Sequence, residues 1–175
     1  MATPDQSPLF ETVRGVFAAE NWAFEEIPGR GVVKAGFEAH HSRVELHVQV
    51  FPELSALSVV SESPLAVSDP ARRERLAELA MRVNQTLTVG GFEMNWDAGR
   101  LIFRATNVFT GEAGDPSIVR GLIHTTLLEM DRVAPLVMLL SQAEGPQLAG
   151  LDLPALLSRL DRPPDSAAGP ATPAR

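Results

Sequence analysis

Alternation of apolar and polar residues is the clearest pattern in the chain. Between Ser42 and Phe51, every second side chain is apolar, and the side chains between them are charged or polar. The apolar positions are Val44, Leu46, Val48 and Val50. A period of two is typical of a strand with one buried face, and such strands belong to antiparallel sheets with their other face in water. Weaker patterns predict further strands at 32–37 and 56–61.

A second alternating stretch predicts a β-hairpin. Phe92, Met94 and Trp96 share one face, the turn Asp97-Ala98-Gly99 follows, and Leu101, Phe103 and Ala105 continue on the return strand. Gly99 is the residue expected to take a positive φ in that turn.

Three segments change to a helical period. The first begins at Ser7-Pro8, the second at Asp69-Pro70 and the third at Asp115-Pro116, each with a capping residue before proline. The second is expected to end at Gly90-Gly91 with Leu87 in its apolar stripe, and the third near Ser141 with a kink at Pro135. Trp22 and Phe24 are expected to anchor the core after the first helix.

The predicted order is therefore α-β-β-β-α-β-β-α over residues 1–141. It describes an α+β fold with an antiparallel sheet of about five strands and helices on one side. We expect residues 142–161 to form a linker and a short amphipathic helix. Residues 162–175 are rich in Pro and Ala, a composition that predicts a disordered tail.

Composition narrows the function classes. The chain has no cysteine and a net charge of −7, and we expect no membrane span and a cytoplasmic location. Nucleic-acid binding is not expected, because it relies on clustered positive charge. The one basic cluster, Arg72, Arg73 and Arg75, is better explained as a solvated helix face than as a phosphate site.

No catalytic or metal-binding pattern emerges. His40 and His41 lie at a predicted turn, His47 is too far along the strand to share a metal with them, and His124 is expected on a helix surface. The sequence contains no nucleophile elbow and no phosphate-binding loop. We therefore expect no catalytic residue, no cofactor and no enzymatic activity.

Residues 84–104, from Asn84 through Gly90-Gly91-Phe92 and Gly99 to Arg104, resemble the signature of the YbjN family. Asp131 and Pro135 resemble a feature of that family's last helix, and the resemblance spans roughly residues 8–141. It implies a fold like that of type III secretion chaperones, which are small acidic cytoplasmic proteins, usually homodimers, that bind other proteins. It carries over no catalytic residue.

Two hypotheses of function follow. The first is a chaperone-like adaptor or regulator that binds a protein partner, in two-component sensory signalling or stress regulation. Its dimer or partner interface would involve apolar residues for which core packing is the competing explanation: Phe92, Met94, Trp96, Phe103, Leu136 and Leu139. The alternative is a small-ligand sensor with Trp96 and Arg104 lining a pocket. The leucines of 151–160 could dock on this chain or on a partner.

Overall fold

The computed structural model describes residues 4–160, which form a two-layer α+β fold. The six strands are antiparallel and lie in the order β1-β2-β3-β4-β6-β5. The elements are α1 Pro8–Ala19, β1 Glu25–Ile27, β2 Val32–Glu38, β3 Arg43–Phe51, β4 Ala56–Glu62, α2 Pro70–Asn84, β5 Gly91–Asn95, β6 Arg100–Val108, α3 Pro116–Gln142, α4 Gly145–Ala149 and α5 Leu153–Leu160.

The predicted fold class is confirmed, with one strand more than expected. The additional strand, β1, is short and pairs with β2 across the turn at 28–31. The predicted disordered tail lies outside the described residues. The expected linker at 145–150 instead contains the short helix α4, and the helix that follows it, α5, packs against α2.

One face of the sheet forms the core with the helices. The alternate residues of β3 predicted to face inward are buried, and their neighbours Glu45, His47 and Gln49 are exposed on the other face. The largest side chains that are fully enclosed are aromatic: Phe10 and Phe17 of α1 and Phe103 of β6.

The three long helices begin where the sequence predicts. The Ser7 hydroxyl and the Asp69 and Asp115 carboxylates each accept a hydrogen bond from a backbone N–H of the first turn, at 3.2, 3.0 and 2.7 Å. Each of these caps precedes a proline at the first helical position. The cap thus satisfies one of the N–H groups that a helix start leaves without a partner.

The second helix ends earlier than predicted, at Asn84, whose side chain forms hydrogen bonds with the edge strand β5. Its side-chain carbonyl accepts a hydrogen bond from the Phe92 N–H at 2.7 Å, and its amide donates to the Phe92 C=O at 2.9 Å. These two bonds fix the edge of β5 to the end of α2. Leu87 consequently lies in the connecting segment and is only half-buried.

One further expectation about an aromatic residue was wrong. Phe24 is 37% exposed, because it lies just before the edge strand β1, although its ring still contacts Phe17 of α1 with the centroids 5.1 Å apart. Trp96 is 50% exposed, because β5 ends at Asn95 and places this residue in the hairpin turn. Trp22 is half-buried and makes an edge contact with Phe17.

The hairpin turn requires glycine at position 99. Gly99 has a φ of +64°, and a Cβ added there would lie 1.9 Å from the Val67 carbonyl oxygen. We expect Gly99→Ala to lower the free energy of unfolding by about 2–4 kcal/mol, measured by urea denaturation. Gly111→Ala is the control, since its Cβ would meet nothing within 4 Å. Equal stability of the two variants would contradict this requirement.

The cap of α3 makes stability depend on pH. The Ser117 hydroxyl and backbone N–H donate to the Asp115 carboxylate and lower its pKa. The carboxylate therefore stabilises the fold above the unfolded-state pKa of about 3.9, and this contribution is lost as pH falls through the lower native pKa. We expect Asp115→Ala to lower the melting temperature at pH 7, with a difference from wild type that shrinks on acidification.

Asp115→Asn is the matched control for this titration, because asparagine keeps a capping acceptor that does not ionise. Thermal unfolding of the three proteins between pH 7 and 2.5 measures the effect. A difference between wild type and Asp115→Ala that stays constant across this range would rule out the carboxylate as its source.

Candidate binding cleft

A cleft of about 170 Å³ opens between the second half of α3 and the ends of two strands. Its helical wall consists of residues spaced at i, i+3, i+4, i+7 and i+8: Met130, Val133, Ala134, Val137 and Met138. The opposite wall comes from the start of β3, the end of β4 and the segment 63–65. Val44, Met130, Val133 and Val137 are buried, whereas Met138 is 50% exposed at the rim.

Asp131 holds the strand wall against α3. Its carboxylate accepts hydrogen bonds from the backbone N–H groups of His40, His41 and Ser42, at 3.2, 2.8 and 2.8 Å. The Ser42 hydroxyl donates to the same carboxylate at 3.0 Å. Asp131 is buried, and a buried carboxylate is tolerated when several donors replace its hydration. The turn between β2 and β3 is thus fixed to the helix.

The hydroxyl groups at the cleft are already engaged. Ser61 Oγ donates to the Glu45 C=O at 2.7 Å, and Ser63 Oγ contacts the Leu65 backbone at 3.3–3.4 Å. The Ser63 N–H donates to the Leu101 C=O at 2.8 Å. These serines therefore hold strand and loop together, and the cleft presents apolar walls with a polar rim that includes Arg43 and Glu62.

The histidines do not converge on one site. His40 and His41 contact each other, with ring centroids 4.4 Å apart, at the exposed turn. His47 lies on the exposed sheet face, and the His124 ring contacts Trp22 at a tilt of 52°, with the ring centroids 5.4 Å apart. Among residues 4–160, no three His, Asp or Glu side chains are grouped so that they could hold a metal ion.

The predicted interface residues divide into two groups. Phe92, Phe103 and Leu136 are buried in the core of the single chain, in agreement with the competing explanation that the sequence left open. Met94 and Leu139 are half-buried, and Trp96 is exposed at the hairpin turn. None of the six lines the cleft, so their part in a dimer or partner contact stays a prediction.

Trp96 and Arg104 do not line a shared pocket with the cleft residues. Arg104 lies on the exposed sheet face and forms two hydrogen bonds with the Glu93 carboxylate, at 2.9 and 3.2 Å. Asp131 is part of the family resemblance in the sequence, which implies no role for it. The signal that could have identified its role is an acidic residue directly after the apolar Met130 of the helix. A carboxylate buried at such a place needs hydrogen-bond donors from neighbouring segments.

The basic cluster of α2 has a role that the sequence did not reveal. The Arg72 and Arg73 guanidinium groups donate to the carbonyls of Ala143 and Val67, at 3.0 and 3.1 Å. Arg75 donates to the Leu151 carbonyl and pairs with Glu78. The cluster thus tethers neighbouring segments of the chain. The expectation that nucleic acid is not bound stays a prediction.

Comparison with known proteins identifies relatives of this architecture. Residues 10–137 match the model of the YbjN family, described as "Putative bacterial sensory transduction regulator". The crystal structure of YbjN, "a putative transcription regulator from E. coli", has a TM-score of 0.52 and 10% sequence identity, covering 71% of this chain and 86% of that chain.

The structure of the HopA1–SchA chaperone–effector complex has a TM-score of 0.46 and 12% identity, covering 71% of this chain and 92% of that chain. No protein of curated function matches the sequence significantly. Within residues 4–160, no helix is long and apolar enough to cross a bilayer.

Removal of the Asp131 carboxylate should release the wall of the cleft. We expect Asp131→Ala to lower the free energy of unfolding by about 3 kcal/mol, since it leaves three backbone N–H groups without their acceptor. Urea denaturation measures the loss, and hydrogen exchange should show faster exchange at His40, His41 and Ser42. The exposed Asp97→Ala is the control. Unchanged protection of these amides would show that the carboxylate does not fix the turn.

Proposed function

The chain belongs to the YbjN family, and from this premise we propose that it is a non-enzymatic regulator that binds a protein partner in the cytoplasm. The partner is a component of bacterial sensory signalling or a chaperone client, and the regulator acts as a homodimer. The observation that carries the proposal is the apolar cleft beside α3, with Met138 exposed at its rim.

The size of the cleft favours a side chain of a protein as its occupant. An apolar cavity of about 150 Å³ takes a group the size of benzene, whereas sites for larger ligands measure roughly 300–1,000 Å³. A cleft of about 170 Å³ therefore suits one leucine, methionine or phenylalanine side chain. Protein interfaces commonly centre on such an anchor residue in a pocket.

The surroundings of the cleft support the same proposal. Its walls are apolar, and charged residues such as Arg43 and Glu62 lie at its margin. An apolar centre with a polar rim is the usual anatomy of a protein–protein interface. The Asp131 contacts make the strand wall rigid, and a preformed wall reduces the entropy lost on binding.

The cleft also defines what the alternative function would require. A small-ligand sensor using this site would be restricted to compact apolar ligands of a few heavy atoms. Such a ligand would raise the melting temperature of the protein in a concentration-dependent way. Larger metabolites and nucleotides do not suit this volume.

Affinity capture of the full-length protein from its native lysate tests the proposal. We expect one stoichiometric protein, and we expect Met138→Glu to reduce its recovery about tenfold, which corresponds to the loss of a modest anchor contact. Leu128→Glu is the matched control, because Leu128 lies on the same helix, is also exposed and does not line the cleft.

Equal recovery with both variants, or no captured protein at all, would contradict the proposal. Circular dichroism and melting temperature of each variant show that the fold is retained. Sedimentation velocity of the full-length protein tests the dimer, which here rests on the family resemblance.

A further inference from the structure

The chain continues beyond the family match and covers part of α2. The family match ends at residue 137, whereas α4 and α5 extend the described structure to Leu160. Leu148 and Leu153 of this C-terminal segment, residues 143–160, are buried and join the main core. Leu156, Leu157 and Leu160 pack against the same core but keep part of their surface exposed.

Two arginines of α2 hold this C-terminal segment through its backbone. Arg72 Nε donates to the Ala143 C=O at 3.0 Å, and Arg75 donates to the Leu151 C=O. Arg72 also pairs with the Glu144 carboxylate at 3.0 Å. Bonds to backbone carbonyls do not depend on which side chains the segment carries. The arginines would therefore accept another peptide that placed carbonyls at the same positions.

The C-terminal segment depends on this docking for its structure. Helices of five and eight residues do not persist alone in water, because nucleation costs more than so few hydrogen bonds return. The contacts that hold the segment include its leucines, which pack on the core, and the arginine bonds. We expect its release to be a local opening that leaves the sheet and the long helices folded, and the melting temperature of the released variant below checks this expectation.

We propose that the surface of α2 beneath the C-terminal segment is a binding site for an amphipathic helix of a protein partner, and that residues 143–160 occupy it in the free protein. This inference rests on the proposed function, since it assumes a protein partner. A partner helix would displace the segment, so that partner binding and segment release are coupled.

The docked segment defines the chemistry of the partner helix. Its leucines at 153, 156, 157 and 160 follow the spacing i, i+3, i+4 and i+7, which is the anchor pattern of helix-in-groove recognition. An acidic residue at its start would replace Glu144 beside Arg72. The partner helix is thus leucine-rich on one face, with a carboxylate near the arginines.

A peptide-binding experiment on the full-length protein tests this assignment. The probe is a fluorescent peptide of residues 143–160, added to wild type and to a full-length Leu148→Asp/Leu153→Asp variant whose own segment is released. We expect the variant to bind the peptide at least about tenfold more tightly than wild type, because the site is no longer occupied in cis. Fluorescence anisotropy measures the binding.

Two controls connect the binding to the docking surface. A peptide carrying the same two aspartates should not bind, and adding Arg75→Ala to the released variant should weaken binding of the normal peptide about tenfold. Circular dichroism and the melting temperature show whether the released variant is folded. A folded variant that does not bind the peptide overturns the inference.

Hydrogen exchange on wild type provides a measurement that does not need the released variant. Amides of α5 should exchange at least about tenfold faster than the buried amides of α3, and Arg75→Ala should accelerate α5 selectively. Exchange of α5 at the rate of global unfolding in both proteins overturns the inference. A second outcome also overturns the inference. If two copies exchange their C-terminal segments, the protein forms a dimer that the added peptide dissociates, and the site then binds a second copy of this chain instead of a partner helix.

The proposed function and this inference fail separately. Met138→Glu lies at the cleft and should leave binding of the 143–160 peptide unchanged. A partner captured through the cleft together with absent peptide binding would reject the inference alone. Peptide binding without any captured partner would reject the proposed function.

Discussion

The antiparallel sheet has one apolar face, and α3 is the element that covers most of its length. This 27-residue helix packs against β3, β4 and β6 and also contacts α1 and α2. Because a sheet with one apolar face cannot remain uncovered in water, the position of α3 determines where the other helices lie. The cleft lies between the second half of α3, the start of β3 and the end of β4.

Asp131 is one of two buried polar side chains on α3, with Thr126, and it fixes one wall of the candidate cleft against the helix. Hydrophobic contacts alone would leave the turn at 39–42 free to move relative to the helix. The carboxylate instead accepts three backbone hydrogen bonds from that turn. A buried charge of this kind is costly unless all its donors are present, so the turn and the helix adopt one relative position.

The two edges of the sheet favour contacts made by side chains over contacts made by added strands. The Asn84 side chain occupies the Phe92 N–H and C=O on the outer strand β5. The other edge strand, β1, has three residues and includes Glu25 and Glu26. Short, charged or capped edges resist pairing with a further strand. The proposed partner contact is therefore placed on the helical side, where the cleft and the C-terminal segment lie.

Local patterns in the sequence determined the elements and their order. The alternation at Val44–Val50, the caps at Ser7, Asp69 and Asp115 and the turn at Gly99 act within a few residues of one another, so one sequence is enough to recognise them. The family resemblance also depended on such local features, chiefly Asn84, Gly99 and the hairpin between them.

Only the tertiary structure decided which residues meet. It paired Asp131 with a turn about 90 residues away, directed Arg72 and Arg75 to carbonyls more than 70 residues away, and buried Phe92 and Phe103 while exposing Trp96. Periodicity specifies which face of an element is apolar but not which distant backbone group a polar side chain will reach. The cleft and the C-terminal docking surface depend on those distant contacts, and for this reason the sequence alone did not locate them.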